Sequence, residues 1–220
     1  VNSGLLLQNF CVGYGGRWVL QGLNVHCTPG TLLYVQGDNG DGRSTLLKGI
    51  MGLCERHGQI SLNDQSLADL ASWQIARLGV GYAPEQRDVF RGLSVAEHFR
   101  LAGLAARHEP IVTQQELLEA LPALKARWQH AAHLLSGGEQ KMLALTRAIL
   151  TGRYLVLLDE PCEGLAENVQ LDILQLLNRL AQRGIIIVLT GAITDALCPA
   201  IVAGRAWIRL DLKELKKADA

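Results

Sequence analysis

Residues 37–45 read Gly-Asp-Asn-Gly-Asp-Gly-Arg-Ser-Thr, a run whose residue types could hold a phosphate. Gly37, Gly40 and Gly42 allow successive backbone N–H groups to turn inward around an anion, and a following helix start would add its partial positive charge. Ser44 puts a hydroxyl where a divalent cation would sit. The spacing fits G-x-x-x-x-G-K-[ST] at every position but one, since Arg43 stands in place of lysine. An ordinary turn rich in Gly, Asn and Asp would have the same composition. A second run, Leu134-Leu135-Ser136-Gly137-Gly138-Glu139-Gln140, places a serine and two glycines before a helical pattern. Exposed N–H groups there would again suit phosphate oxygens; the alternative is a plain serine N-cap. A third run is Leu155-Val156-Leu157-Leu158 followed by Asp159-Glu160-Pro161. Strand alternation predicts the two carboxylates on opposite faces, one holding Mg²⁺ through water and the other approaching an attacking water. On a solvated turn they would do neither.

The elements around these runs follow from periodicity and turn chemistry. Residues 5–10 and 24–27 read as short strands separated by a turn with Tyr14, Gly15 and Gly16. Tyr14 could stack on a base or simply pack. The apolar run at 32–35 enters the glycine loop, and a helix over 44–53 leaves it, giving the strand–loop–helix setting of a phosphate loop. A strand at 59–62, a helix at 67–77 and a strand at 78–83 come next, the last stopping at Pro84-Glu85. From about residue 87 to 150 the pattern is helical. Ser94 caps one helix, Thr113 and Glu116 form a capping box for another, and apolar spacing continues a third after Ser136. A helix over 165–180, an apolar strand at 185–189, an edge hairpin around Gly204-Arg205 and a short tail helix at 212–217 complete the reading. The fold class expected is α/β: a P-loop core with a parallel sheet, an N-terminal antiparallel β portion and an inserted helical subdomain, all within one domain over 1–220.

Composition bounds the rest. In 220 residues, Lys+Arg and Asp+Glu both total 21, which gives no argument for nucleic acid or an anionic membrane surface. Hydrophobic residues make up 49% and charged residues 19%, ordinary for a packed protein. There is no apolar run of membrane-span length and no signal-like N-terminus, so a cytosolic chain is expected, able to dock on a membrane protein. Cys11, Cys27, Cys54, Cys162 and Cys198 are scattered without a C-x-x-C pair, which predicts reduced, mostly buried thiols.

Taken together and in this order, the motifs resemble those of the ATP-binding subunits of ABC transporters over nearly the whole chain. GDNGDGRST resembles the Walker A loop, Pro84-Glu85 the Q-loop region, LSGGEQ the signature, LVLLDEP the Walker B strand and Tyr14 the base-stacking aromatic. LGVGYAPEQRDVFRGLSVAEH, LSGGEQKMLALTRAI and DEPCEGLAENV are similar to importer subunits of the branched-chain amino acid and urea/amide class.

The resemblance implies ATP and Mg²⁺ as ligands, sandwiched in a head-to-tail dimer with a second ATPase subunit, identical or not. It implies Gly37, Asp38, Asn39, Gly40, Asp41, Gly42, Arg43 and Ser44 on the β- and γ-phosphates, and Thr45 near the α-phosphate. Ser44 and Asp159 would hold the metal, and Glu160 would orient or deprotonate the attacking water. Ser136, Gly137, Gly138 and Glu139 would face the γ-phosphate of the nucleotide on the other subunit. Permease subunits would dock near Glu85, a solute-binding protein would act indirectly, and the chain would sit on the inner face of the cell membrane. The sequence departs from the family pattern at four places: Arg43 for lysine, Glu85 for glutamine, Gly191 for the switch histidine and Ala166 near the D-loop aspartate. Three functions follow as expectations: a transport ATPase, a degenerate subunit completing a partner's site in an asymmetric heterodimer, and a soluble non-transport ATPase.

Overall fold

The computed structural model describes residues 4–86, 89–106, 108–191 and 207–213. Two sheets form the frame. β1 (Leu5–Tyr14), β2 (Arg17–Cys27), β4 (Glu55–Leu62) and β5 (Gln65–Ser66) make an antiparallel sheet in the order β2-β1-β4-β5. β6 (Val80–Ala83), β7 (Leu155–Leu158), β8 (Ile186–Thr190), β3 (Leu32–Gln36) and β9 (Trp207–Asp211) make a wholly parallel sheet in the order β6-β7-β8-β3-β9. Because the strands are parallel, the carboxyl ends of β3, β7 and β8 lie side by side along one edge. Open α/β sheets place ligands at that edge.

β3, β6, β7 and β8 are largely buried on both faces, β9 being a partly exposed edge strand, and period-2 alternation divides the side chains of the central strands between two cores. Leu32, Val156, Leu158, Ile187 and Leu189 join α3 (Val95–Ala105), α4 (Gln114–Ala120), α5 (Pro122–Ala126), α6 (Gly137–Thr151) and α7 (Glu167–Gln182). Leu33, Val35, Leu155, Leu157, Ile186 and Val188 join α1 (Arg43–Ile50), α2 (Ser72–Arg77) and the antiparallel sheet. The phosphate-loop helix and the α6 helix therefore sit on opposite faces of one sheet.

Local chemistry explains most boundaries. Ser94, Thr113 and Ser136 are N-caps, each with a glutamate three residues on that reaches back to the cap's N–H, so α3, α4 and α6 start where the capping boxes do. Other expected boundaries move. β1 and β2 run longer than their apolar alternation because bulges at Leu7/Phe10, Phe10/Val12 and Val12/Gly13 break the period without ending the pairing. β4 begins at Glu55 rather than at 59. Residues 67–71 are not helical: the Arg56 guanidinium takes up the carbonyls of Leu67, Ala68 and Leu70, which a helix would have used, and α2 starts only at Ser72. Among the described residues, β9 pairs with β3 in parallel; the first arm of the expected edge hairpin and the tail beyond Lys213 lie outside them. Cys27 and Cys162 are buried thiols, while Cys11 and Cys54 are partly exposed; Cys198 lies outside the described residues.

Candidate functional site

The glycine loop leaves β3 and enters α1 through Gly42, the N-cap, whose φ of 101° is left-handed. A side chain there is excluded twice over, by that φ and because a Cβ would lie 2.8 Å from Val19 Cγ1. No side chain caps the start of α1 and no acidic residue lies in its first turn, so its leading N–H groups remain available to an anion. The loop is braced from within by Asp41 Oδ2, which accepts from the Asp38 N–H at 2.6 Å. From outside, Lys213 Nζ meets Asp38 Oδ2 at 2.6 Å.

Asp159 and Glu160 follow β7. Asp159 continues the face of Leu155 and Leu157 toward α1, where Ser44 Oγ donates to its Oδ1 at 3.0 Å. Thr190 Oγ1, at the end of β8, donates to the same Oδ1 at 2.7 Å. The expectation of opposite faces fails at the next residue. The strand ends at Leu158 and Glu160 is left-handed, with φ 51°, so its carboxylate also reaches the loop. Arg43 Nη2 donates to Glu160 Oε1 at 2.6 Å and to Asn39 Oδ1 at 2.9 Å, in a pair whose side chains are only 11% and 13% exposed. Burial, then a side-chain hydrogen bond with Glu163, pushes the Glu160 carboxyl up to about 7 against the opposing pull of Arg43. Glu85, Glu160 and Glu163 place carboxylate oxygens within 4.8 Å of one another.

These residues surround an open cavity of about 470 Å³, lined by Val19, Asn39, Gly40, Gly42, Arg43, Ser44, Thr45, Glu85, Glu160 and Glu163. A Cβ built on Gly40 meets nothing within 4 Å, so the crest of the loop is open. The Ser44 hydroxyl and Asp159 carboxylate are hard oxygen donors side by side, a set that suits Mg²⁺.

Other expected residues lie elsewhere. Tyr14 is 47% exposed at the end of β1 with its hydroxyl facing the Cys54 thiol, and it is not in the cavity lining. Ser136, Gly137, Gly138 and Glu139 start α6, also outside that lining. Ser136 accepts from the Glu139 N–H at 3.2 Å, and Glu139 Oε2 accepts from the Ser136 N–H at 2.7 Å. Burial raises the Glu139 carboxyl, but the Ser136 backbone and hydroxyl together with Arg127 outweigh it and hold it below the usual range. Gly191 has φ 119°, and its carbonyl accepts from the buried Tyr34 hydroxyl at 2.6 Å. Sequence reasoning missed Val19, Lys141, Glu163 and Thr190. Thr190 alone carried a signal, as a polar residue ending a fully apolar strand next to the acids in space.

A sequence profile of the ABC transporter family matches residues 20–163. The high-affinity branched-chain amino acid transport ATP-binding protein BraG of Pseudomonas aeruginosa is 34% identical over 178 residues, covering 80% of this chain and 76% of BraG. The lipopolysaccharide export system ATP-binding protein LptB of Acidithiobacillus ferridurans is 32% identical over 190 residues, covering 84% of this chain and 78% of LptB. A solved structure of the ATP binding subunit of an ABC transporter superposes with a TM-score of 0.77 at 27% identity, covering 96% of this chain and 87% of that one. With its fold, its phosphate-loop geometry and these relatives in agreement, the chain belongs to the ABC transporter family as an ATP-binding subunit.

Proposed function

We propose that this subunit binds and hydrolyses ATP to drive import of a small solute, of the branched-chain amino acid or amide type, through a membrane complex. The observation that carries the reading is the convergence of an uncapped helix start, the Ser44–Asp159 pair and Glu160 on one cavity at the carboxyl ends of β3, β7 and β8. Gly37 through Arg43 cradle the β- and γ-phosphates, Thr45 lies toward the α-phosphate and Tyr14 offers a ring to the base. Ser44 and Asp159 would hold Mg²⁺, which supplies charge neutralisation at the phosphates. That charge also offsets the crowding of Glu85, Glu160 and Glu163 around an anionic substrate.

An incoming phosphate competes with Glu160 and Asn39 for the Arg43 guanidinium, and the exchange frees Glu160. Glu160 then takes a proton from water as the water oxygen bonds to the γ-phosphorus, and the bond to the ADP oxygen breaks.

The second cradle, Ser136 to Gly138, stands apart from this cavity, which supports a dimer in which it serves the nucleotide of another ATPase subunit. The helical stretch over about 87–150 acts as an inserted subdomain of one nucleotide-binding domain. An apolar groove of about 610 Å³ between it and the core exposes Leu53, Trp73 and Leu104, and is offered to a permease subunit. No helix among the described residues is long and apolar enough to cross a membrane, so the permease supplies the spans and this chain lies on their inner face. BraG, a branched-chain amino acid transport protein, supports the solute class, although the LptB relative belongs to an export system. The test is ATP-driven uptake of a branched-chain amino acid by vesicles holding the complete complex; hydrolysis without uptake refutes the solute and direction, and no hydrolysis refutes the enzyme.

A second reading is favoured by one observation, the Arg43–Glu160 pair beside a Gly191 that offers no side chain. Here the subunit binds nucleotide at its own loop but hydrolyses it weakly, and lends Ser136 to Gly138 to a more complete partner. In that case Ser136→Arg abolishes turnover of the complex while Glu160→Gln leaves it nearly intact. The first reading requires Glu160→Gln to cost about 10²–10⁴-fold.

A further inference from the structure

The backbone of Glu160 is as constrained as its carboxylate. A non-glycine residue at φ 51° stands in the left-handed region that side chains disfavour, so something must hold it there. Both polar ends of the residue are held by side chains from other elements. Its N–H donates to Thr190 Oγ1 at 3.0 Å, and its carbonyl accepts from Lys141 Nζ at 2.9 Å. Thr190 is 1% exposed at the end of β8, and its hydroxyl donates to Asp159 Oδ1, so one oxygen fixes the two acids relative to each other. Lys141 lies in α6, three residues after Gly138, and spans the following turn by donating also to the Glu163 carbonyl at 2.9 Å. A Cβ on Gly138 would lie 3.0 Å from Leu165 Cδ2, so the start of α6 is packed directly against the segment that follows Glu160.

We propose that Thr190 and Lys141 are the positioning residues of Glu160, a two-sided backbone clamp that keeps its left-handed turn and thereby aims its carboxylate across the phosphate loop. The assignment rests on the reading of Glu160 as the group that activates water. Neither residue touches the reacting atoms. Thr190 works through the N–H that precedes the carboxylate-bearing carbon, and Lys141 through the carbonyl that follows it. Lys141 further means that the helix presenting the second cradle also sets the backbone of the acid in the first.

The test is steady-state ATPase analysis of the assembled transporter, with binding of a fluorescent ATP analogue to the purified chain as a second readout. Thr190→Val is expected to lower kcat about 30–100-fold, the scale of a misplaced catalytic group, with KM and analogue affinity within about twofold of wild type. Thr190→Ser keeps the hydroxyl and is expected to restore kcat to within about threefold. Lys141→Met, at a partly exposed position that tolerates an apolar chain, is expected to lower kcat about tenfold with KM unchanged. It keeps the test open if Thr190→Val does not fold.

Wild-type kcat in both variants overturns the clamp, as does an equal loss of kcat and nucleotide affinity or a failure of serine to rescue. Glu160→Gln is measured alongside. If it abolishes turnover while Thr190→Val and Lys141→Met do not, the clamp alone falls. If it leaves turnover intact, the reading of Glu160 falls and takes the clamp with it.

Discussion

The two phosphate-suited sites of this chain are built in opposite ways. At the start of α1 the backbone is open, with no side-chain cap, yet the cation that should greet a phosphate is already paired with Glu160 and Asn39. At the start of α6 the backbone is closed by a reciprocal Ser136–Glu139 capping box, and the glutamate is further settled by Arg127. At the first site a ligand would displace the side chains on Arg43, whereas at the second the Ser136 and Glu139 N–H groups are already taken by the capping box. An open helix start keeps its donors for an anion and a capped one uses them for its own stability, so the contrast is between a loop built for exchange and a helix built to stay fixed.

The largest effect is expected at the cation. Arg43→Ala removes the charge-assisted contact and should lower ATP-analogue affinity about 100-fold, equivalent to ~2.7 kcal/mol, as titration of the purified chain would show. Arg43→Lys should instead raise turnover of the complex about tenfold, because Nη2 makes both contacts from a point beyond the reach of a lysine Nζ, and the shorter chain would release Glu160 and Asn39. Lower turnover in Arg43→Lys would mean that the pair assists catalysis and that the contrast between the two sites is misread.

Placing a histidine at 191 should not help. With φ at 119° and a Cβ that would sit 3.3 Å from Glu160 Cα, Gly191→His should lower Tm by roughly 2–10 °C, with no gain in turnover. The capped helix start gives a smaller number. Ser136→Ala removes the cap of α6 for about 1 kcal/mol, or roughly 2–4 °C in Tm by thermal melting, while analogue affinity at the first site stays unchanged.

The smallest effect is a pH dependence beside α6. His98 is fully buried, accepts from the Phe90 N–H through Nε2 at 2.9 Å and lies against Ser94 O through Nδ1 at 2.8 Å. Burial holds it below its usual value; the Ser94 carbonyl and Glu97 oppose this, and Arg147 of α6 adds to it. Its stabilisation is therefore complete above about pH 6.5 and is lost as pH falls below that value, since the unfolded chain then binds the extra proton. Melting temperature should decline from pH 7.5 to 5.5, and His98→Gln should flatten the decline.

What was legible in the sequence was what depends on neighbours along the chain. The N-caps Ser94, Thr113 and Ser136, the box with Glu116, the strand–loop–helix around Gly42 and the apolar parallel strands all follow from local spacing, and the structure adds the return bonds of Glu97 and Glu139. What escaped depends on partners far apart. Arg56 unwinds residues 67–71 by binding their carbonyls, and nothing within that stretch announces a guanidinium eleven or more positions upstream. Glu160 left the face that alternation assigned it because its turn is held from β8 and α6, 30 and 19 residues away in sequence. Arg43 within the glycine loop was readable, but its pairing with Glu160 was not, since the two are 117 residues apart.

The position of β3 has a consequence for how the molecule is made. The strand that carries the phosphate loop is hydrogen-bonded on one side to β8 and on the other to β9, both synthesised long after it, and the loop's Asp38 is fastened by Lys213. A nascent chain therefore has no finished setting for this loop until β8, β9 and Lys213 have emerged from the ribosome. The antiparallel pairing of β1, β2 and β4 can form much earlier, so nucleotide binding reports a stage after the pairing of β3 with β8 and β9 and marks correct folding of the parallel sheet.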